Sequence, residues 1–333
     1  MKKFLYIVVA LALFVSCEKS LEFRLEEKGG NLVMFAFLTP DSSFNVHLSK
    51  SVSHMSVDDF ERIYDGNITV YRNGKIVDDF IFPFDKTWVC RDDVVISEGD
   101  TFRIEAYDSG GQNISAETLV PYAVPVSISD TATIEREQNG NGKTQMLQCK
   151  LKIPDRKGVS NYYQLLAFEE ICVATTGDSV CQRTEIDYSK TDPVFYVRDQ
   201  EGSLIGGLDF GGCFSDHLFD GENYELTVYL PVQYANAPQS SGIYRKILFL
   251  LLSHTREYYD YYRSRSVAEY GYELPLLDPI RIYNNVEGGL GVVSAYSISA
   301  DSLVFNQVTL NPTLINKFYT NETSMVKIAI IDC

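Results

Sequence analysis

Histidine is scarce in this chain of 333 residues, which has only four. Neither H-E-x-x-H nor G-x-S-x-G occurs, so two common hydrolase signatures have no support. C-x-x-C pairs are absent too, and the cysteines lack the spacing that zinc sites favour. Positive charge is in short supply: 29 lysines and arginines stand against 45 aspartates and glutamates, a formal charge of −16. Such a surface repels phosphate backbones, which excludes nucleic acid as a natural partner. It also gives no electrostatic hold on anionic lipid. Long apolar runs are missing beyond residue 15. The most apolar stretch, Ile247 to Leu252, is bounded by Arg245-Lys246 and Ser253-His254, which is strand length and not membrane length. Nothing in the pattern calls for a metal or any other cofactor.

What is present begins at the N-terminus. Met1-Lys2-Lys3 is followed by an apolar segment from Phe4 to Val15 and then by Ser16-Cys17. Basic residues, a short apolar core and a small residue before the cut make residues 1–16 a secretory signal peptide. The stretch Phe14-Val15-Ser16-Cys17 resembles a lipobox, with Phe14 where leucine is more usual, and Cys17 becomes the acylated first residue of the mature chain. Acyl chains at ~0.8 kcal/mol per buried CH₂ would then anchor the protein to a membrane without a transmembrane helix. Loss of Lys2 and Lys3 takes the formal charge from −16 to −18. Residues 17–30, charged and ending in Gly29-Gly30, are expected to be the lipidated tether.

Six cysteines remain: Cys90, Cys149, Cys172, Cys181, Cys213 and Cys333. Export to an oxidising compartment favours disulfides, but six leave the connectivity open. Cys172 and Cys181 are the favoured pair, because Thr175-Thr176-Gly177-Asp178 between them reads as a hairpin turn.

Strand signals dominate the mature chain. Asn31–Thr39, Phe44–Ser49, Thr101–Tyr107 and Ser115–Val120 carry β-branched and aromatic residues or alternate with period two. Ile68–Arg72 and Lys75–Val77 flank Asn73-Gly74, whose residues accept the positive φ that a type I′ hairpin needs. Short strands at this spacing predict an immunoglobulin-like β-sandwich over residues 31–122. Pro121 and Pro125 mark a boundary. Beyond it, Gln145–Ile153, Tyr162–Ala174, Val194–Arg198, Tyr224–Val232, Lys246–Ser253, Ile280–Tyr283, Gly291–Ser299, Ser302–Val308 and Val326–Ile331 are strand-like. The pattern turns helical near 255–270, through Glu257-Tyr258-Tyr259-Asp260-Tyr261-Tyr262-Arg263. The expected architecture is all-β in the main: a smaller sandwich, then a larger C-terminal sandwich over 123–333 with one short helix.

Three segments hold chemistry-bearing residues. Tyr258 and Tyr262, four apart, share a helix face, a pattern that more often packs a helix onto a sheet than grips a ligand. The run from Asn284 to Gly291 is glycine-rich but lacks the Lys-Ser/Thr ending of a phosphate loop, so it reads as a tight turn. Segment 210–221 places Ser215, Asp216 and His217 side by side, although neighbouring residues on an extended strand point to opposite faces and do not converge as a triad must. Asp216 and Asp220 are possible calcium ligands without an EF-hand pattern. Asp216, His217, Asp220 and Glu287 are therefore candidate binding residues, on two loops expected to meet at one end of the second sandwich.

The lipobox, Ser115-Ala116-Glu117-Thr118-Leu119-Val120-Pro121, the Phe214-Ser215-Asp216 to Phe219-Asp220-Gly221 block, Glu257-Tyr258-Tyr259-Asp260-Tyr261 and Asn285-Val286-Glu287-Gly288-Gly289-Leu290-Gly291 occur in this order. Together they resemble the DUF4249 lipoproteins of Bacteroidetes. The resemblance implies an outer-membrane lipoprotein that is a non-enzymatic accessory or binding component of a TonB-dependent transporter, and it brings no established site residues. Two other functions compete: a structural or adhesive surface protein, and a hydrolase whose site is assembled from distant residues.

Overall fold

The computed structural model describes residues 29–305 apart from 41, 54–59, 64, 83–87, 138–141, 175–178, 197–208, 237–242 and 272–280. The signal peptide, Cys17, Cys333 and the strand expected at Val326–Ile331 lie outside the described residues.

The first sandwich follows from alternation. Strand β1 (Leu32–Leu38) buries every second side chain and half-buries the rest. It pairs with β2 (Phe44–Lys50), which pairs with β5 (Trp88–Arg91). The facing sheet has the order β4-β3-β6-β7, formed by β3 (Asn67–Arg72), β4 (Lys75–Ile81), β6 (Thr101–Tyr107) and β7 (Asn113–Leu119). First, second and fifth strands on one side, with fourth, third, sixth and seventh on the other, form an immunoglobulin-like Greek key. Asn73 and Gly74 join β3 to β4 with φ of 51° and 76°, the left-handed pair of a type I′ turn. Leu32, Met34, Phe44, Val46, Ile68, Val70, Phe102 and Ile104 meet in the core between the sheets.

The second sandwich sets the order β13-β9-β8, from β8 (Ser127–Glu137), β9 (Lys143–Pro154) and β13 (Asn223–Pro231), against a sheet of longer strands. That sheet holds β10 (Tyr162–Ala174), β11 (Ser179–Glu185), the short β12 (Cys213–Ser215), β14 (Ile243–His254) and β15 (Leu290–Phe305). Leu151, Ile153, Tyr163, Leu165, Leu226, Val228, Phe249 and Leu251 fill its core. Sequence order implied separate domains divided at 122/123, and here the structure differs. β15 pairs in parallel with β1 from Val33↔Leu290 to Leu38↔Ala295, then antiparallel with β14 from His254↔Tyr296 to Arg245↔Phe305. Val286, Val293 and Ala295, from the C-terminal segment, therefore lie in the first core. One sheet, β11-β10-β14-β15-β1-β2-β5, runs through both sandwiches. The crossing needs Gly291, at φ 117°, where a Cβ would collide with the Met34 carbonyl oxygen.

The connector between the sandwiches is fastened to this shared sheet. Ser297 and Ser299 donate to the carbonyls of Pro121 and Val124, each at 2.6 Å. The amides of Val124 and Ile128 donate to Ser253 Oγ at 3.1 Å and Asp301 Oδ2 at 2.7 Å. This explains a second difference: the polar stretch around Ala300-Asp301 suggested a break between two strands, yet β15 continues through it because Asp301 has a backbone partner. Two expected strands are not strands. Pro193–Tyr196 is a single 3-10 turn, started by the Asp192 carboxylate accepting from Val194 N, and residues 281–283 are irregular. Strands β5 and β8 had no expectation; β8 is polar and largely exposed, without an apolar face to reveal it.

Helix α1 (Arg256–Gly271) begins after Thr255, whose Oγ1 accepts from Tyr258 N at 3.4 Å. It lies on the outer face of the shared sheet over the β1/β15 pairing. Tyr261 meets Phe35 at 6.0 Å and Tyr258 meets Phe37 at 5.9 Å between ring centroids.

Candidate functional site

The helix tyrosines are packing groups. Tyr258 stacks on His254 at 3.9 Å with the rings 9° apart, and Tyr259 packs on Tyr162 at 4.8 Å. His254 Nε2 donates to Gln164 Oε1 at 3.0 Å, and burial drives its pKa down to about 3, so the ring is a neutral core group. Arg263 lies over the Phe210 ring at 4.3 Å, which ties the start of segment 210–221 to the helix. A stripe at four-residue spacing finds its partners on a sheet face.

In segment 210–221 the backbone controls the chemistry. Gly211 and Gly212 have φ of 59° and 80°; a Cβ on either would strike Tyr262 Oη or the Leu165 carbonyl. Residues Asp216–Leu218 form a 3-10 turn directly after β12. That turn separates the three residues a hydrolase would converge. Asp216 turns inward, its Oδ2 accepting from Asn161 N at 2.6 Å and Asn161 Nδ2 at 3.1 Å, while His217 is exposed. No Ser-His-Asp relay is assembled from Ser215, His217 and Asp216.

A carboxylate cluster forms instead, with a member that had no signal in the sequence. Asp155, at the end of β9, joins Asp216 and Asp220 so that one oxygen of each lies within 4.8 Å of the others. By distance and hardness these three are the described residues that would hold a divalent cation. Protein donors already occupy them. Asp155 Oδ1 accepts from Tyr163 Oη at 2.5 Å and Asn161 Nδ2 at 3.1 Å, and its Oδ2 from Gly221 N at 2.9 Å. Asp220 Oδ1 accepts from Gly158 N at 2.8 Å. The cluster thus pins the β9–β10 loop to the β12–β13 loop. Its cost shows in Asp216, whose pKa is raised by burial first and then by the charges of Asp155 and Asp220, against the bonds from Asn161.

Glu287 sits elsewhere. Its amide donates to Ser115 O at 2.8 Å and its carbonyl accepts from Ser115 N at 3.1 Å, so it extends β7 by one bridge while its side chain faces solvent. Gly288 and Gly289 lie against Asn113, Ile114 and Leu32. The expectation that the two loops meet is therefore corrected: 216–221 is held by 155–161 of the second sandwich, and 287–291 by β1 and β7 of the first. Both are tight turns whose glycines admit neighbouring backbone.

Cys172 and Cys181 face each other across β10 and β11 and are disulfide-bonded, with Cα atoms 4.1 Å apart. Cys149 and Cys213 are free and buried; burial pushes the Cys149 thiol up to about 12 and leaves both inert at neutral pH.

A family model described as a domain of unknown function, DUF4249, matches residues 18–302. The chain belongs to this family. The match spans both sandwiches and ends inside β15, so the DUF4249 unit includes the shared strand. No curated protein matches the chain. Among solved structures, a two-domain fibronectin type-III segment from chicken tenascin is similar at 10% identity over 67% of this chain and 90% of that one, with a TM-score of 0.20. The BSP domain of a biofilm-associated protein is similar at 10% identity over 82% and 59%, with a TM-score of 0.16. The fold is assigned from its own strand order.

Proposed function

We propose that this DUF4249 protein is a lipoprotein of the outer membrane, held there through Cys17, and a non-enzymatic accessory or binding component of a TonB-dependent transporter. The observation that carries the reading is the shared sheet. The strand nearest the tether, β1, lies inside a sheet common to both sandwiches, so a chain anchored at its N-terminus would display one stiff body. The dispersal of Ser215, Asp216 and His217 supports binding over catalysis. No helix of the described residues is long and apolar enough to cross a membrane, so attachment in this reading rests on the acylated cysteine.

Two experiments test it. Cys17→Ala should move the protein from the detergent phase to the aqueous phase on fractionation; retention at the parental level removes the anchor from the proposal. Cross-linking and co-purification of the full chain from solubilised membranes should then recover a transporter as the main partner. Recovery of the chain alone, from membranes in which it is still anchored, counts against the accessory role and leaves the lipid anchor standing.

A further inference from the structure

We propose that strand β11 is a redox-held latch over the edge of β10, released when a dithiol reduces Cys172–Cys181. Among the described residues, β11 is the outermost strand of the shared sheet and pairs only with β10, from Phe168↔Glu185 to Ala174↔Ser179. Residues 180–185 are all exposed, and none of them joins a core cluster. A strand that buries no apolar face gains little from its ladder alone.

Side-chain ties hold it at three points. At its downstream end, Ile186 and Tyr188 enter the second core, Ile186 N donating to Ala167 O at 2.8 Å and Tyr188 Oη to Leu165 O at 2.7 Å. Midway, Arg183 pairs with buried Glu170 and lies over the Phe168 ring at 5.7 Å. At the hairpin end the disulfide is the fastening. Removing it leaves a polar strand hinged at Ile186, with one ion pair between the hinge and the tip.

What the latch covers differs from what it exposes. Beside it in the sheet, β10 carries Ile171 and Val173, exposed by 38% and 44%, and Val180 of β11, opposite Val173, is exposed by 69%. With β11 displaced, the outward amides and carbonyls of residues 168–174 become a free strand edge flanked by apolar side chains. That is the form of edge to which an extended peptide adds.

The chemistry has one accessible direction. Cys181 is exposed, whereas Cys172 is 1% exposed. A thiolate of the dithiol attacks Cys181 Sγ, the S–S bond breaks, and Cys172 leaves as a thiolate that takes up a proton. The second thiol of the reductant then displaces Cys181. Two electrons pass to the protein, the reductant ends as its own disulfide, and its two thiol protons end on Cys172 and Cys181.

Hydrogen exchange on the full chain, oxidised and then treated with dithiothreitol, reads the latch directly. The expected result is at least tenfold faster exchange of the β11 amides and of their partners in β10, with the β1–β15 ladder unchanged. Cys90 is disulfide-bonded as well, so the variant Cys172→Ser/Cys181→Ser is the control: it should show the fast exchange without reductant and respond no further to it in β11. Three results overturn the latch: resistance of Cys172–Cys181 to the dithiol, reduction without faster exchange in β11, or an acceleration spread evenly through β14 and β15.

Discussion

In the first sandwich the buried carboxylates of Asp100 and Asp108 stand against Arg72 at 2.7 Å and Lys50 at 2.6 Å, whereas in the second Asp216 is buried against Asn161 with Asp155 and Asp220 beside it. Asp100 and Asp108 have their charge neutralised by cations, whereas the Asp155, Asp216 and Asp220 cluster concentrates like charge and satisfies it with neutral donors. Burial works to raise the pKa of Asp100, Asp108 and Asp216. For Asp100 and Asp108 the bonds and charge of Arg72, Asn73 and Lys50 win, and both pKa values fall below the ordinary 3.8; for Asp216 burial and its acidic neighbours win, and the value rises. The difference teaches that a pin between two loops and a salt bridge inside a sandwich answer acid in opposite senses.

The two sandwiches, unlike in their electrostatics, are joined through β15 and are expected to share one fate. The strongest attempt to break it is Phe249→Ala, at a fully buried position in the second core, expected to cost about 3–5 kcal/mol. The chain has one tryptophan, Trp88, on β5 of the first sandwich. If the shared sheet couples the two, the Trp88 fluorescence transition in urea shifts by the full amount; a parental Trp88 transition would make the sandwiches independent. Gly291→Ala attacks the join itself. Strain of roughly 1–3 kcal/mol is expected from a Cβ at that φ, and the clash with Met34 adds to it, lowering the melting temperature measured by circular dichroism.

Charge supplies the next contrast. Asp100→Asn should lose about 1–3 kcal/mol in urea unfolding at pH 7, because Arg72 loses its ionised partner. Asp216→Asn should lose nothing and gain slightly, because it removes an ionised group that the fold disfavours. Equal losses would erase the distinction between the regions. Along the pH axis, Asp100 and Asp108 contribute stability above about pH 4 that disappears as pH falls through their depressed folded values. His47, buried beside Trp88 with a folded pKa of about 4, loses its contribution earlier, as pH falls from 6.5 towards 4. Asp216 runs the other way: its contribution is complete below pH 3.8 and is lost as pH rises through its raised value. Unfolding of the parent and of Asp216→Asn between pH 3 and 7 should therefore converge towards the acid end. The smallest effect is expected for Glu287→Ala, within ~0.5 kcal/mol of the parent, because only its backbone is engaged.

How much of this was legible follows from range. Local features were: Asn73-Gly74 states its own turn, the strand at Tyr162–Ala174 stands where its β-branched and aromatic residues put it, and the tyrosine repeat marks the helix. Partners far apart in sequence were not. Asp155 sits in an ordinary polar turn, and nothing near it announces Asp216 and Asp220 some sixty residues on. The parallel pairing of β1 with β15 joins opposite ends of the described chain and leaves only Gly291 as a trace, a glycine that also suits a plain turn. Asp301 looked like a strand end because its backbone partner, Ile128, lies across the molecule. The candidate loops were legible as glycine-rich turns, but composition does not tell a turn that pins neighbours from one that receives a partner.

The position of β1 also has a mechanical meaning. A pull applied at residue 29 enters the molecule along the axis of a strand bonded on both sides, to β2 and to β15, with Gly30 N donating to Ser51 O at the entry point. Force in that direction loads the two ladders in shear, so that many bonds share it at once, where a strand at the sheet margin would peel open one bond at a time. Traction from the N-terminal side is spread into both sandwiches, and the molecule resists it as a single piece.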